Sequence, residues 1–255
     1  MGQATTAKNL NNTIRYSIVI PIKNEEENIT PLIEEIEPVM KGLGLPWELI
    51  CIDDGSTDRS LHILQNLCRE KPYLRVLSFS RNFGQSAAFS AGFSVARGEL
   101  VITLDGDRQN DPADIPRLTA AMPEHDLVVG WRVERKDPLR KKIVSKFSNW
   151  IRSSLCQDGI HDTGCSLKVY RKEALDKIKM YHGMHRFLPA LFLIEGFRVK
   201  EIPVNHRKRA KGETKYHFFN RSLGPIYDLF VVRWMRKRAL HPIIREEYTH
   251  EEWKR

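Results

Sequence analysis

The strongest constraint on the fold is an alternation of short apolar runs with longer segments of helical spacing. The apolar runs are rich in β-branched residues and predict buried strands at Tyr16–Ile22, Trp47–Ile52, Leu74–Phe79, Leu100–Leu104 and Asp126–Gly130. Helices are predicted between these strands over Asn28–Lys41, 58–70, Gln85–Ala96 and Pro112–Met122, with Ser56 or Thr57 capping the second. This alternation favours an α/β fold, with a Rossmann-like, mostly parallel sheet flanked by helices.

Polar residues follow three of the predicted strands directly. The loops are Lys23-Asn24-Glu25 after the first strand, Asp53-Asp54-Gly55-Ser56 after the second and Asp105-Gly106-Asp107 after the fourth. In parallel sheets ligands bind at the carboxyl ends of the strands. We therefore expect the three loops to converge on one site, because consecutive carboxylates next to buried strands are costly unless something binds them.

Beyond residue 131 the chain becomes strongly basic. Residues 1–130 hold 12 Lys and Arg against 18 Asp and Glu, whereas residues 131–255 hold 29 against 14, for a net charge of +9. Two amphipathic helices are predicted there, over Pro138–Leu155 and Ser222–Arg238. The basic half either faces an anionic partner, such as nucleic acid, phosphates or a membrane surface, or merely solvates its own helices.

The second half also contains weaker signals for regular structure. Strands are expected near Ser166–Tyr170 and Phe197–Val204, and helices around 172–179 and 184–194. None of the four cysteines forms a C-x-x-C pair, which favours reduced thiols in a cytoplasmic setting over a zinc site. No apolar stretch reaches the length of about 18 residues that a transmembrane helix needs.

The acidic cluster at residues 105–107 suggests a metal site. Asp105 and Asp107 offer two carboxylates one residue apart, and Gln109 adds an amide oxygen. Hard divalent cations prefer such oxygen ligands and share them with substrate phosphates. A D-x-D pattern alone is weak, but its position after an apolar strand strengthens it.

Several motifs together resemble a known family. The runs IVIPIKNEEEN, ICIDDGSTD, RNFGQSAAFSAGF and LVITLDGDRQNDP are similar to the A-type fold of inverting family 2 glycosyltransferases. The later runs VVGWRVERKDPLRKKIVSKFSN, DTGCSLKVYRK and RKRAKGETKY resemble the polyprenyl-phosphate hexosyltransferases, the branch that includes dolichol-phosphate mannose synthase. The resemblance covers roughly residues 15–235 and implies transfer of a hexose from a UDP- or GDP-sugar to undecaprenyl or dolichyl phosphate.

The resemblance also implies roles for individual residues. The nucleotide would be bound by Pro21, Asn24, Glu25, Asp53, Asp54 and Asp105. Mg²⁺ or Mn²⁺ would be held by Asp105, Asp107 and Gln109. The acceptor phosphate would be gripped by Arg132, Lys141 and Ser145, although Lys141 stands where an arginine is expected. Arg209 and Lys215 would close over the diphosphate and act in catalysis with the two aspartates.

On this interpretation the chain divides into four parts. Residues 1–14 form a flexible tail, 15–131 the nucleotide-sugar half, 132–215 the acceptor half of the same domain, and 216–255 a basic amphipathic helix and tail. We expect a protein on the cytoplasmic membrane face, in peripheral contact through its basic amphipathic helices. The same grounds admit a homo-oligomer or a membrane-protein partner.

The nature of the acceptor separates the alternatives. A phosphate monoester is already nucleophilic and needs cations to position it, whereas a saccharide hydroxyl, as in surface-polysaccharide assembly, needs a general base. Asp162 is the obvious candidate for such a base, or it is a turn residue. A nucleic-acid-binding protein fits the charge alone but lacks a recognised motif, and a membrane scaffold leaves the acidic loops unexplained.

Overall fold

The computed structural model describes residues 13–133, 159–207, 223–240 and 245–246 of the chain. Its centre is a seven-stranded sheet in the order β3-β2-β1-β4-β6-β5-β7. The strands are β1 Tyr16–Ile22, β2 Trp47–Asp53, β3 Leu74–Ser78, β4 Leu100–Thr103, β5 Leu127–Arg132, β6 Lys168–Arg171 and β7 Val199–Val204. Only β6 runs antiparallel to its neighbours β4 and β5. The mostly parallel α/β sheet is thereby confirmed.

Helices cover both faces of the sheet. They are α1 Ile29–Gly42, α2 Ser60–Glu70, α3 Gln85–Val95, α4 Ile115–Ala120, α5 Lys172–Leu175, α6 Leu188–Ile194 and α7 Leu223–Arg238. One core lies between the sheet and α1, α2 and α4, and contains Ile20, Leu32 and Leu118. The second lies on the other face, where Phe89 of α3 and Leu191 of α6 pack. Alternate residues of the central strands supply both cores, which explains why these strands are continuously apolar.

Several predicted helices are wrong in extent. The helix predicted to reach Met122 is a 3₁₀ turn at Pro112–Asp114, the short α4 and a second 3₁₀ turn at Met122–Glu124. The helix predicted over 172–179 ends at Leu175, because the amides of Lys177 and Ile178 bond three residues back instead of four. The helix predicted over 184–194 is split into a 3₁₀ turn at Met184–Arg186 and α6.

The predicted cap of α2 is also wrong. The helix begins at Ser60, and the Ser60 amide donates to the Asp58 carboxylate at 2.9 Å. Ser56 instead accepts a hydrogen bond from the Asn24 amide at 3.0 Å, so its hydroxyl joins two loops of the sheet edge.

The two amphipathic helices differ in how far they can be examined. The predicted helix at 138–155 lies outside the described residues, whereas Ser222–Arg238 corresponds to α7, which begins at Leu223. Within the described ranges, none of the helices combines the length and the apolar character needed to cross a bilayer.

Candidate active site

The loops after β1 and β2 form one continuous hydrogen-bonded wall. Asn24 has a left-handed backbone (φ 49°), and its carboxamide oxygen accepts from the Thr57 amide at 2.8 Å. The Glu25 amide donates to the Ser60 hydroxyl at 2.8 Å. These contacts fix the first loop against the start of α2, so that Asn24 and Glu25 are held at the carboxyl edge of the sheet.

Asp53 and Asp54 are both buried and serve different neighbours. Asp53 accepts from the Ser56 amide at 3.2 Å and, more weakly, from the Ser78 hydroxyl at 3.4 Å. Asp54 accepts from the amides of Phe83 at 2.7 Å and Gly84 at 3.0 Å. Asp54 therefore anchors the loop that leads into α3.

Asp105 follows β4 and is contacted from α3. Its carboxylate accepts from the Gln85 carboxamide at 2.8 Å, and its amide donates to Asn110 at 3.2 Å. Burial, and then the negative charge of Asp107, raise the pKa of Asp105 above its ordinary value. A cation between the two carboxylates would relieve this repulsion, so their chemistry fits a divalent metal ion.

Asp107 is buried beside Asp105, and its carboxylate accepts from the Gln109 amide at 3.2 Å. Gly106 lies against β1, where an added Cβ would come within 3.2 Å of the Pro21 carbonyl oxygen. Pro21 and the metal-ligand candidates are therefore neighbours. No group of three His, Cys, Asp or Glu side chains suited to a metal occurs in the described part of the chain.

Arg132 ends β5, whose direction matches that of β1, β2 and β4. The carboxyl end of β5 therefore lies at the same edge of the sheet as the acidic loops. The guanidinium donates to both oxygens of Asp162, at 2.7 and 2.8 Å, and both side chains are largely buried. Burial alone would lower the pKa of Arg132, but the Asp162 carboxylate outweighs it and raises that pKa.

This geometry changes the interpretation of Asp162. Its backbone amide donates to Glu201 at 3.0 Å, and its carbonyl oxygen accepts from the Cys165 amide at 3.4 Å, so Asp162 does open a turn. Its carboxylate in addition forms a two-point ion pair with Arg132. The acceptor-side candidates Lys141 and Ser145 lie outside the described residues, as do Arg209 and Lys215.

Sequence patterns alone missed several residues that complete the site. Gln85 lies inside the RNFGQSAAFSAGF run, but nothing local indicates that it reaches Asp105. Ser166 donates to Asn110 at 2.6 Å and belongs to the hydrogen-bonded support under Asp105. Lys168 is buried in β6 with its ammonium on the Cys165 carbonyl, and burial lowers its pKa. A lysine within an apolar strand was the one available signal.

Similarity to known proteins identifies the family of this chain. Residues 17–179 match the family model described as glycosyl transferase family 2. The chain belongs to this family. The glycosyltransferase is 40% identical over 236 residues to dodecaprenyl-phosphate galacturonate synthase of Rhizobium johnstonii, covering 90% of the chain and 70% of the relative.

A second relative has a similar acceptor in its name. Undecaprenyl-phosphate 4-deoxy-4-formamido-L-arabinose transferase of Salmonella paratyphi B is 39% identical over 217 residues, covering 84% of this glycosyltransferase. The chain spans 66% of the length of that relative, which is just under two thirds.

Solved structures support the fold. Glucosyl-3-phosphoglycerate synthase of Mycobacterium tuberculosis, in complex with Mn²⁺, UDP-glucose and phosphoglyceric acid, gives a TM-score of 0.64 at 19% identity. The match covers 89% of this chain and 81% of that one. At this identity the likeness establishes only the architecture of the glycosyltransferase.

Proposed function

We propose that this glycosyltransferase moves a sugar from a nucleoside-diphosphate sugar to a polyprenyl phosphate, with inversion at the anomeric carbon. The two relatives at 39–40% identity, both named as polyprenyl-phosphate sugar transferases, support this acceptor. The proposal keeps a UDP- or GDP-hexose donor and the cytoplasmic face of the membrane. The proposed lipid is undecaprenyl or dolichyl phosphate, as in the dolichol-phosphate mannosyltransferase-like enzymes that the sequence resembles.

On the donor side, the converged loops form the binding wall. Pro21, Asn24, Glu25 and Asp53 would line the nucleotide, with Asp54 holding the loop beneath it. Mg²⁺ or Mn²⁺ would be held by Asp105, Asp107 and Gln109, and when bound it neutralises charge on the leaving diphosphate. Gln85 orients the Asp105 carboxylate for that role by its 2.8 Å hydrogen bond.

On the acceptor side, the two-point pair of Arg132 with Asp162 is the observation that carries the proposal. A general base for a sugar hydroxyl must accept a proton, whereas this carboxylate is held by a buried guanidinium at both oxygens. A phosphate monoester, with a second pKa of about 6, needs no such base and is attracted by the arginine. Asp162 accepts from two of the five N–H donors of Arg132 and so fixes the orientation of the remaining donors, which would bind the acceptor phosphate.

The first test is direct. The protein is incubated with Mn²⁺, polyprenyl phosphate in detergent and a panel of radiolabelled UDP- and GDP-sugars, with an oligosaccharide acceptor as the competing substrate. We expect label in the lipid phase, released by mild acid. Label only in the oligosaccharide, or none with any donor, would contradict the proposal.

The second test uses a cycle of Arg132→Gln, Asp162→Asn and the double variant. If Asp162 acts through Arg132, the double variant is no slower than the slower single variant, because both remove the same pair. If Asp162 is a base, the losses multiply and Asp162→Asn costs about 10²- to 10⁴-fold by itself. Multiplying losses would reassign the acceptor to a hydroxyl.

The proposal includes peripheral membrane contact through α7. One face of this helix carries Leu229 and Val232, which are buried in the core. The other exposes Tyr227, Phe230 and Trp234, with 71%, 57% and 61% of their surfaces accessible. Lys237 and Arg238 follow Trp234 at a spacing of three and four residues, which extends this face with positive charge. Aromatic and basic residues on one helical face suit an anionic lipid interface.

Vesicle binding tests this contact. The protein should co-sediment with vesicles containing phosphatidylglycerol and much less with phosphatidylcholine alone, and Trp234→Ser should weaken the binding. The matched control is Tyr181→Ser, because Tyr181 is an exposed aromatic residue outside α7. Equal loss in both variants would contradict the assignment of α7.

A further inference from the structure

Glu35 of α1 lies outside every motif considered above, yet it joins two arginines from distant parts of the chain. The Glu35 cluster consists of Glu35, Arg108, Asp111 and Arg207. One Glu35 oxygen accepts from Arg108, through its Nε at 3.2 Å and also through its Nη2. The other oxygen accepts from Nη1 of Arg207 at 2.6 Å. A single carboxylate thus bridges the loop after β4 and the segment after β7.

Arg207 also contacts the loop at residues 107–111, which carries the candidate metal ligands. Nη2 of Arg207 donates to Asp111 at 2.7 Å, and the Arg207 amide donates to the Gln109 carbonyl oxygen at 3.0 Å. Gln109 is therefore held by the backbone of Arg207, while the guanidinium of that residue is held by Glu35. The contacts join three separate elements around residues 107–111.

The backbone explains why such a restraint is needed. Arg108 lies between Asp107 and Gln109 and has a φ of +61°, a left-handed backbone conformation that residues other than glycine rarely adopt. This turn sets the direction in which the side chains on either side of it point. The Arg108 side chain is three-quarters buried in the ion pair with Glu35, which restrains the turn from outside.

The helix that carries Glu35 is itself a fixed support. Its neighbours Ile33 and Ile36 are fully buried in the core against the sheet. A carboxylate on this rigid face can hold the loop in place without touching substrate or metal. The adjacent residue Glu34 is exposed on the same helix and offers a matched comparison of charge.

We propose that Glu35 is a positioning residue, which holds the left-handed turn at Arg108 and so fixes Asp107 and Gln109 as a pair of metal ligands. The functional role of Glu35 rests on the proposed metal-dependent transfer, whereas the measurement of the loop itself does not require that the protein transfers sugar. Groups that orient ligands without contacting the metal typically change affinity by about 10- to 100-fold.

The first measurement needs neither substrate nor metal. Amide hydrogen exchange of residues 105–111 is compared in the wild type, Glu35→Gln and Glu34→Gln. We expect faster exchange in this loop for Glu35→Gln alone, with the strands β1 and β2 unchanged. If Glu35→Gln leaves the loop as protected as Glu34→Gln does, the proposal is wrong, whether or not the protein transfers sugar.

The second measurement follows the binding of Mn²⁺ alone by electron paramagnetic resonance. We expect Glu35→Gln to weaken binding about tenfold, with Glu34→Gln within twofold of the wild type. Arg108→Gly should bind Mn²⁺ better than Arg108→Ala, because glycine adopts a positive φ without strain. Glycine binding no better than alanine would overturn the role of the turn.

The steady-state kinetics give a third, separable result. In an active enzyme, raising Mn²⁺ should restore most of the kcat of Glu35→Gln, because the defect lies in forming the metal site. A loss of kcat that saturating Mn²⁺ leaves in place would contradict positioning of the ligands. Failure of the wild type to form any lipid-linked sugar would count against the proposed function and leave the exchange result standing.

Discussion

Replacing Glu48 with Gln should lower the stability of the fold without touching the donor site. Glu48 is buried near the amino end of β2, at the edge of the sheet opposite the acidic loops. Its carboxylate accepts from the Ser17 hydroxyl at 2.7 Å and from Nη1 of Arg75 at 2.8 Å. It also accepts from the amide of Arg97 at 2.8 Å and from Nη2 of that residue at 2.7 Å. One charge therefore ties β1, β2, β3 and the end of α3 together.

The pKa of Glu48 gives the size of the effect. Burial alone would raise it, but the hydrogen bonds from Arg97, Ser17 and Arg75 outweigh burial and lower it from 4.5 to about 2. A pKa lowered by about 2.5 corresponds to about 3 kcal/mol of stability from ionised Glu48. Because the folded pKa is depressed, this contribution is complete above pH 4.5 and is lost as the pH falls towards 2.

Urea unfolding, followed by circular dichroism, measures the difference between wild type and Glu48→Gln. We expect about 3 kcal/mol at pH 7, unchanged at pH 6 and falling to about 2 kcal/mol at pH 3.5, with the m-value unaltered. The control is Glu99→Gln, which removes the exposed ion pair with Arg15 and should cost less than about 1 kcal/mol. A difference for Glu48→Gln that is below about 1 kcal/mol, or that is constant down to pH 3.5, would refute the reasoning.

Three further predictions concern packing, the metal and α3. Gly98→Ala should destabilise by about 1–3 kcal/mol, because its Cβ would lie 2.7 Å from the Tyr16 carbonyl carbon, whereas Gly42→Ala, with open space around it, should be neutral or stabilising in thermal melts. UDP plus Mn²⁺ should raise the melting temperature of the wild type, because a ligand that binds only the folded state stabilises it. This rise should be absent in Asp107→Asn and in the wild type when a chelator replaces Mn²⁺. Ser86→Ala should cost about 1–3 kcal/mol in urea unfolding, because it leaves the buried Gly183 amide without its 3.0 Å acceptor and removes the 2.6 Å bond to His185.

The sheet could be predicted closely because its signal is local. The apolar runs from Tyr16–Ile22 to Leu100–Leu104 match observed strands to within one residue at each end. The runs of β1, β2 and β4 are buried on both faces, so their composition alone separates them from the surrounding loops. The edge strand β3 is only partly buried. The antiparallel direction of β6 has no such signal, because nothing in the composition of residues 168–171 distinguishes an antiparallel strand from a parallel one.

The extents of the shorter helices were predicted wrongly for a different reason. Around Met122 and Ile178 the apolar spacing continues, but the backbone closes into 3₁₀ turns whose amides bond three residues back. Proline at 116 and 123 removes amides that a continuous helix would use. Periodicity reports which side chains face the core, and a sequence of tight turns can place them there almost as well as a helix.

The candidate site divides in the same way between local and distant information. The acidic loops were found because strand-end carboxylates are visible in the sequence, and the structure brings their backbones to one edge. Their partners come from far along the chain: Gln85 lies 20 residues from Asp105, and Arg207 lies 172 residues from Glu35. Polar partners of this kind are set by the fold, and no spacing rule connects them.

The pair of Arg132 and Asp162 shows what this distinction means for experiment. Both side chains are largely buried, so removing one partner strands the other charge and costs about 3–5 kcal/mol. An inactive Asp162→Ala protein is therefore expected whether Asp162 is a base or a positioning group. Asparagine keeps the shape of the residue and one acceptor oxygen for Arg132, and Arg132→Gln removes the stranded charge in the double variant. Only the coupling between these two changes separates proton transfer at Asp162 from the orientation of Arg132, and with it a hydroxyl acceptor from a phosphate acceptor.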